Sequence, residues 1–403
     1  MTRPKRRLND WLESYIEFTE NTETPLSYHT WAGISCLAGA LQRKVYFTRG
    51  HETIYPNQFI VLVGPSGRVR KAQAITIGRS ILEALSISLI GEDNSQEAVI
   101  LDIKSAITQY KDEASGNIVM QCAVSCFIEE LAVFLGYQNA TFLAYLTNWY
   151  DSRDKWTRRT KHQGTDEVIG MCFNLLAATA PDWLPHILPR EAIGGGFTSR
   201  CIFVAEADKK RTISNPNLYP VDEKLREDLL HDLEVINTLT GSCTFDAEGQ
   251  ATYEAWYEGE DEKIRAGKPP LLDPAFSGYV ARRATHMIKL CMALSVSYDN
   301  SLLITKDIFN RARLVLEITE RKMERVFSGV GKAKYAEETE IIIDYLKRRG
   351  KATKSDILRA FYRNVDTMGL EAIIRVLSDM RIITIVRETD KEIAYVYKGE
   401  ANK

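Results

Sequence analysis

The chain has 403 residues, of which 45% are hydrophobic and 26% charged. This length exceeds the size at which a single hydrophobic core usually stops growing, so two or three domains are expected. The formal net charge of −2 excludes a uniformly basic nucleic-acid-binding protein, and any nucleic-acid contact must be local. The sequence lacks an apolar stretch of the roughly 18 residues that a membrane span needs. The basic start also lacks an apolar signal core, so we expect a cytoplasmic protein that makes no membrane contact.

The seven cysteines are an odd number and lie mostly in apolar stretches, which predicts reduced thiols in the core. Cys122 and Cys126 share an apolar strand candidate with a spacing of four residues. Because no second Cys/His pair follows at a zinc-finger distance, core thiols are favoured over a metal site.

Residues 1–50 are predicted to form a helical lead-in. Asn9 is expected to cap a first helix over residues 11–20, and Pro25 to begin a second helix. Apolar side chains of the second helix, such as Trp31 and Ile34, recur at helical spacing.

Residues 51–215 alternate apolar strands with helices. The strand candidates occupy residues 59–63, 86–90, 124–130, 171–180 and 200–207. Repeated strand and helix units predict an α/β fold with a mainly parallel, three-layer sheet. The inner strands are almost continuously apolar, as expected when helices cover both faces of a sheet.

The loop over residues 64–71 reads GPSGRVRK and lies between the strand 59–63 and a predicted helix over residues 72–84. Backbone N–H groups at a helix N-terminus, together with a lysine, form a site for nucleotide phosphate. The standard pattern is G-x-x-x-x-G-K-[ST]. Here Arg70 replaces the last glycine, Ala72 replaces the hydroxyl residue, and the loop is one residue longer. A plain strand-to-helix turn is the alternative.

The candidate ATP-binding residues of this loop are Gly64, Pro65, Ser66, Gly67, Arg68, Val69, Arg70, Lys71 and Ala72.

Two adjacent acids, Glu129 and Glu130, end the strand candidate at residues 124–130. In nucleotide hydrolases an acid at the end of a strand holds the magnesium shell, and a neighbouring glutamate polarises the attacking water. We assign the first role to Glu129 and the second to Glu130. The alternative is a strand that runs into an exposed turn.

Two later segments add polar groups. Thr179 ends the strand at residues 171–180, where its hydroxyl could contact the attacking water or the γ-phosphate; a turn residue is the alternative. Residues 194–200, GGGFTSR, place Arg200 just before another strand. Arginine stabilises charge on transferring phosphoryl oxygens, often from a neighbouring subunit, whereas the glycines alone would indicate only a tight turn.

Three blocks, at residues 55–74, 127–136 and 175–204, together resemble the P-loop domain of phage- and plasmid-type helicase or primase-helicase proteins, within the wider AAA+/RecA-like group. The resemblance covers roughly residues 11–326. It implies ATP and Mg²⁺ as cofactors, with Lys71 as the phosphate lysine and Arg70 as its helper. It also implies a ring-shaped homo-hexamer in which Arg200 acts on the neighbouring subunit. Ala72 departs from the family pattern, which leaves Glu129 and waters to hold the magnesium ion.

The segment between the second and third blocks is basic. Residues 153–161 contain five Lys/Arg side chains against Asp154. In ring-shaped motors of this kind the insertion projects into the central channel, and a basic hairpin there would bind nucleic-acid phosphates. Arg158, Arg159 and Lys161 are therefore candidate DNA contacts, and a solvated charged loop is the alternative.

Residues 216–330 are predicted to be a helical lid subdomain, with helices over residues 225–239, 247–266, 278–298 and 305–326. The lids of AAA+ proteins carry an arginine that senses the nucleotide. Of Arg282 and Arg283, we choose Arg283 for this role, with surface charge as the alternative. His286 is read as an ordinary helix residue.

Residues 335–403 follow a short linker at residues 328–334 and are predicted to form three helices and two strands, the pattern of a winged helix-turn-helix. The third helix offers few base-reading groups beyond Arg375. Non-specific DNA contact and protein docking both stay open.

From these features we expect an ATP-driven, ring-forming motor that translocates on single-stranded or forked DNA, a helicase of a mobile element with a primase or polymerase as a possible partner. The alternative is a DNA-binding initiator or loader-like scaffold that uses nucleotide mainly to assemble.

Overall fold

The computed structural model describes residues 4–91, 94–113, 115–160, 164–189, 192–324, 326, 336–362, 364–389 and 392–399. The chain divides into two compact units, residues 1–327 and 328–403. The predicted linker at residues 328–334 lies outside the described residues. Within the described ranges, no helix combines the length and the apolar composition that crossing a membrane would need.

The helices of the first unit are α1 (Trp11–Phe18), α2 (Leu26–Leu41), α3 (Lys71–Ala84), α4 (Gln96–Ser105), α5 (Leu131–Leu135), α6 (Ala140–Tyr150), α7 (Leu184–Ile187), α8 (Glu223–Asn237), α9 (Ala247–Arg265), α10 (Ser277–Tyr298) and α11 (Lys306–Met323).

The strands of this unit are β1 (Val45–Arg49), β2 (Glu52–Ile54), β3 (Phe59–Val63), β4 (Leu89–Ile90), β5 (Ile107–Lys111), β6 (Ile118–Ile128), β7 (Lys155–Thr160), β8 (Gly164–Ile169), β9 (Met171–Thr179), β10 (Ile202–Ala205), β11 (Gly241–Ser242), β12 (Thr244–Phe245) and β13 (Leu303–Ile304).

A parallel sheet in the order β10-β3-β9-β6-β4 forms the centre of the first unit, which confirms the prediction of an α/β fold with a parallel sheet. All five residues of β3 and all nine of β9 are buried, as their continuous apolar sequences predict. The sequence pattern did not predict β5, which pairs antiparallel with the first half of β6 and has a largely exposed, mixed sequence.

Helices cover both faces of the sheet. On one face, the glycines of α2 and α3 allow close approach: a Cβ at Gly39 would lie 2.7 Å from Ser125 Oγ, and one at Gly78 would lie 2.8 Å from Phe127. On the other face, Trp149 of α6 packs against Phe173 of β9, with ring centroids 5.2 Å apart. All seven cysteines are buried, in agreement with the apolar stretches in which most of them lie.

Asp10, near the start of the chain, contacts the helices α10 and α11. Asp10, and not the predicted Asn9, caps α1 by accepting a hydrogen bond from the Glu13 backbone N–H. The same carboxylate accepts from Ser297 Oγ at 2.6 Å and pairs with Arg311. The predicted lead-in, core and lid thus lie within one compact unit, and the boundaries proposed between them stay predictions.

The second unit contains α12 (Ala336–Arg349), β14 (Lys351–Thr353), α13 (Lys354–Phe361), α14 (Thr367–Asp379), β15 (Ile383–Thr389) and β16 (Glu392–Tyr397). The predicted three helices and two strands are confirmed, and β14 adds a third strand to an antiparallel sheet in the order β14-β16-β15. A capping box between Thr353 and Asp356 fixes the start of α13. Leu346, Ile357 and Leu370 belong to its separate core.

Candidate nucleotide site

The candidate site lies where β3, β9 and β6 end side by side. From β3 the chain crosses to β4 at one edge of the sheet and returns through β6 and β9, and β10 then joins on the other side of β3. The direction of winding therefore reverses next to β3. In open α/β sheets, ligands bind outside the carboxyl ends of the strands at such a point.

The loop after β3 packs closely on its surroundings at its start. A Cβ at Gly64 would lie 2.6 Å from the Glu206 carbonyl oxygen and 2.7 Å from the Tyr28 hydroxyl, so only glycine fits this position. The Tyr28 hydroxyl donates to the carbonyl oxygen of Val63 at 2.7 Å. Residues 65–68 are exposed, and Gly67 adopts a φ of +70°.

Lys71 is the first residue of α3, where the helix dipole favours an anion. Its side chain is 9% exposed, and Nζ donates to the carbonyl oxygens of Gly64 at 2.5 Å and Pro65 at 3.4 Å. Burial lowers the pKa of Lys71 below its usual value, and the negative charge of Glu130 opposes part of that shift. The ammonium group therefore lies against the loop backbone and within the electrostatic range of Glu130.

The two loop arginines pair with acids outside the loop. Arg70 adopts a left-handed conformation, with φ 52° and ψ 40°, and its Nε donates to Glu23 Oε2 at 2.9 Å. The guanidinium of Arg68 lies 2.9 Å from Asp208 in an ion pair whose members are both more than half exposed. In this conformation, Lys71 is the loop cation that faces the ends of the strands.

Glu129 contacts a hydroxyl that the sequence motifs did not single out. Thr76 Oγ1 donates to Glu129 Oε1 at 2.9 Å, which joins α3 to the end of β6. Thr76 follows Ala72 by four residues, so the two lie on the same face of α3. A search of that helix face for a displaced hydroxyl could have found Thr76.

Thr179 ends β9, the strand next to β3, and Glu130 follows the end of β6, the strand beyond β9. Glu130 is exposed and precedes the first residue of the short helix α5. Thr179 is buried at the end of β9, in register with Val63, and its carbonyl oxygen accepts from the Gly64 N–H at 3.3 Å. The Thr179 hydroxyl donates to the Ala180 carbonyl oxygen at 3.3 Å.

Arg200 makes an intramolecular ion pair. Its Nε and one terminal nitrogen donate to the two carboxylate oxygens of Asp151 at 3.1 and 2.8 Å, and the other terminal nitrogen donates to the Gly196 carbonyl oxygen at 2.9 Å. The residue is 7% exposed. Such a bidentate pair holds the guanidinium firmly, so contact with a neighbouring subunit would require the Asp151 pair to open.

Arg283, chosen as the lid sensor, is also buried. Its Nε and one terminal nitrogen lie 2.7 and 2.8 Å from the two carboxylate oxygens of Glu320, and it pairs with Glu260 as well. Two acids therefore engage its donors within the helical region. Arg282, the alternative, is more exposed and lies 3.8 Å from Asp151 Oδ1.

The basic insertion forms the antiparallel hairpin of β7 and β8. Arg158 pairs with Glu97 at 3.0 Å, and its side chain is 15% exposed. Arg159 is exposed. The predicted contact Lys161 lies outside the described residues.

The returning strand β8 carries acids that lie beyond the basic stretch of residues 153–161. Asp166 is paired in register with Arg158, and Glu167 forms an ion pair with Lys155 at 2.7 Å. The described part of the hairpin is therefore less basic than the first strand alone predicts.

The residues of the site suit magnesium bound together with a nucleotide. Within the described residues, no group of three or more His, Cys, Asp or Glu side chains could hold a metal ion. Magnesium usually binds through one or two carboxylates, waters and substrate phosphates, so Glu129 and Glu130 supply the donor types that it needs from the protein.

No protein-family model matches the sequence, and no curated protein is significantly similar to it.

Proposed function

We propose that the chain is an ATPase whose nucleotide binds at the carboxyl ends of β3, β9 and β6. One observation carries the proposal: Lys71 lies buried at the N-terminus of α3 with its ammonium group on the loop carbonyl oxygens, in a sheet where Thr179 ends the next strand and Glu129 follows the strand beyond it. A lysine, a helix N-terminus and two acids at a switch point are what phosphoryl transfer requires of a protein.

Each residue then has a role in the proposed reaction. Lys71 exchanges the Gly64 and Pro65 carbonyl oxygens for phosphate oxygens, and the N-terminus of α3 adds to the attraction. Glu130 orients and polarises the attacking water. Glu129 contributes an oxygen ligand to the ion while the Thr76 hydroxyl fixes its carboxylate. Mg²⁺, when bound, neutralises charge on the phosphates.

We extend the proposal to a DNA translocase on the strength of the sequence resemblance to phage- and plasmid-type helicases and the exposed Arg159 on the β7–β8 hairpin. The assembly implied by that resemblance is a homo-hexamer with Arg200 acting between subunits, which requires Arg200 to exchange Asp151 for phosphate oxygens.

For the second unit we propose a winged helix, with α14 in the position of the recognition helix. Its exposed face carries apolar side chains at every fourth position: Met368, Ala372, Val376 and Met380. Arg375 is the basic residue of this face. Apolar groups do not read base edges by hydrogen bonding, so the face favours contact with a partner protein, such as a primase or polymerase.

The arrangement of the loop also favours a second candidate, a nucleotide-dependent scaffold or initiator with little hydrolysis. Lys71 binds carbonyl oxygens of its own loop, Ala72 offers no hydroxyl, and Arg70 pairs with an acid. A site of this kind could bind nucleotide for assembly without efficient turnover.

One experiment separates the two candidates. The purified full chain is incubated with ATP and Mg²⁺, with and without single-stranded DNA, and phosphate release is measured. A motor releases phosphate, and does so faster when DNA is present. Nucleotide binding without release supports the scaffold, and the absence of nucleotide binding contradicts both candidates.

A further inference from the structure

Glu23 connects three segments around the phosphate loop. Its Oε2 accepts from Arg70 Nε at 2.9 Å, and its Oε1 accepts from Lys209 Nζ at 2.8 Å and from the Ile213 backbone N–H at 2.9 Å. Its side chain is 14% exposed, whereas that of Arg70 is 53% exposed. These hydrogen bonds lower the pKa of Glu23 to about 2, with Lys209 the largest contributor, so the carboxylate stays charged at neutral pH.

The residue after Glu23 binds the same loop. The Thr24 hydroxyl lies 3.1 Å from the Arg70 carbonyl oxygen and 2.9 Å from Gln73 Oε1 on the first turn of α3. Ser27 donates to Glu206 beyond the end of β10. The segment between α1 and α2 and the first turn of α2 are thus attached to the phosphate loop and to the chain after β10.

Arg70 is placed where its side chain could bind a nucleotide phosphate. Arg70 immediately precedes Lys71, and its left-handed backbone places it at the cap of α3. A guanidinium beside the phosphate lysine would add bidentate donors for phosphate oxygens. In this structure the Arg70 guanidinium is paired with Glu23 instead. Arg70 is the more exposed member of the pair, so its side chain is the one that must move for the guanidinium to reach a phosphate.

We propose that Glu23 is a positioning residue that holds Arg70 away from nucleotide phosphates and thereby weakens the binding of nucleoside triphosphate. The inference rests on the proposed nucleotide site, and it adds to that site a competition between one carboxylate and the phosphates for Arg70. Removing the carboxylate should tighten binding, whereas the removal of a purely structural interaction would weaken it.

The experiment measures the dissociation constant of ATPγS with Mg²⁺ by isothermal titration calorimetry on the full chain. Glu23→Gln should bind about two- to fivefold more tightly, the fold-change that an exposed ion pair is typically worth. Glu23→Asp keeps the charge but withdraws the carboxylate by one methylene group, so it should also tighten binding. In an Arg70→Ala background, most of the gain from Glu23→Gln should disappear.

A matched control uses the other arginine of the loop. Asp208→Asn also removes one acid from an arginine partner, Arg68, but leaves the pair between Glu23 and Arg70 intact. It therefore measures the combined effect of removing a negative charge near the loop and releasing an arginine that is not adjacent to Lys71, and it should give a smaller gain than Glu23→Gln.

Three results overturn the inference while leaving the nucleotide site in place. The first is weaker ATPγS binding by a folded Glu23→Gln variant, and the second is a gain from Glu23→Gln that is equally large in the Arg70→Ala background. The third is unchanged binding by Glu23→Asp together with a gain in Asp208→Asn as large as that in Glu23→Gln. If the wild-type chain binds no ATPγS, the proposed function itself fails.

Discussion

The hydroxyl of Thr76 donates a hydrogen bond of 2.9 Å to Oε1 of Glu129, across the gap between α3 and the end of β6. Phosphate loops of the standard pattern place a hydroxyl directly after the lysine, where this chain has Ala72. Thr76 lies one turn further along the same face of the helix, about 6 Å from that position. This distance favours a role in orienting Glu129 over direct contact with phosphate-bound magnesium.

The first prediction concerns this hydrogen bond. Thr76→Ala should reduce ATP turnover by about tenfold and raise the Mg²⁺ concentration needed for half-maximal activity, because Glu129 loses the donor that orients its carboxylate. Thr76→Ser keeps the hydroxyl and should retain most of the activity. Thr252→Ala, which removes another helical threonine hydroxyl far along the chain from the proposed site, serves as the control. An unchanged Mg²⁺ dependence in Thr76→Ala would contradict the assigned role.

The second prediction separates binding from chemistry. Lys71→Ala should lose nucleotide binding, since it removes the loop cation that faces the strand ends. Glu130→Gln should still bind ATP but lose about 10² to 10³ in turnover, the typical effect of removing one charge contact in a transition state. Binding is measured by calorimetry and turnover by phosphate release. Turnover near the wild-type rate in Glu130→Gln would exclude it as the group that polarises water.

The central strands of the first unit could be predicted because strands that are buried on both faces have almost continuously apolar sequences. Apolar strand candidates such as β3, repeated in alternation with helices, predict a mainly parallel sheet, and the structure confirms a parallel sheet. The edge strand β5 was not predicted because an exposed strand does not need an apolar face. The apolar pattern of a sequence reflects burial, so strands at the edge of a sheet are the hardest to predict from it.

The environments of the arginines could not be predicted in the same way. Sequence order places Arg200 before a strand and Arg283 on a helix, but their partners Asp151 and Glu320 lie 49 and 37 residues away along the chain. Long-range ion pairs leave no local pattern. The same limit hid Glu23, whose contact with Arg70 spans 47 residues.

The third prediction tests whether Arg200 stabilises the fold or acts on a neighbour. Arg200→Ala leaves Asp151 without its bidentate partner, and the loss of one member of a buried pair typically costs about 3–5 kcal/mol, less here because Asp151 is 28% exposed. Thermal unfolding should therefore show a lower midpoint. The double variant Asp151→Asn/Arg200→Ala should recover part of that stability.

Mixed oligomers distinguish the catalytic role of Arg200. If Arg200 acts between subunits, mixing Arg200→Ala with Lys71→Ala chains should restore some hydrolysis, because a mixed interface can combine an intact lysine with an intact arginine. The double variant should remain inactive despite its recovered stability. Full ATPase activity in a strictly monomeric Arg200→Ala protein would exclude both the action of Arg200 between subunits and the ring.

The fourth prediction concerns Lys289, a buried amine on α10. Its Nζ donates to the carbonyl oxygen and Oδ1 of Asn57 at 3.0 and 2.7 Å, and lies 4.1 Å from the ring centroid of Tyr150. Burial lowers the pKa of Lys289 to about 7 from its ordinary 10.5. Between these values the unfolded chain binds more protons than the folded chain, so stability rises with pH.

The measurement compares wild type with Lys289→Met in urea unfolding from pH 6 to pH 10. The free energy of unfolding of wild type relative to the variant should be flat below about pH 7 and rise above it by up to about 1.4 kcal/mol per pH unit. Lys263→Met, at an exposed lysine, should follow the wild-type profile. Parallel profiles of wild type and Lys289→Met would show that Lys289 does not titrate in this range.

The fifth prediction concerns the β7–β8 hairpin as a binding surface for single-stranded DNA. Arg159 is exposed, whereas Arg158 is paired with Glu97. Arg159→Ala should therefore weaken DNA binding more than Arg158→Ala does. Removing one lysine or arginine that binds a phosphate should flatten the salt dependence of binding by about 0.7 in the log–log slope.

Basal ATP hydrolysis without DNA should survive these changes, because the hairpin supplies none of the proposed catalytic residues. The comparison that decides between surfaces is the triple variant Arg158→Ala/Arg159→Ala/Lys161→Ala against a chain truncated after residue 334. If the hairpin binds DNA, the triple variant loses affinity at every sequence while the truncated chain keeps most of it. Unchanged affinity and salt slope in the triple variant, with no binding by the truncated chain, would assign the DNA contact to the second unit and leave the hairpin as a charged surface loop.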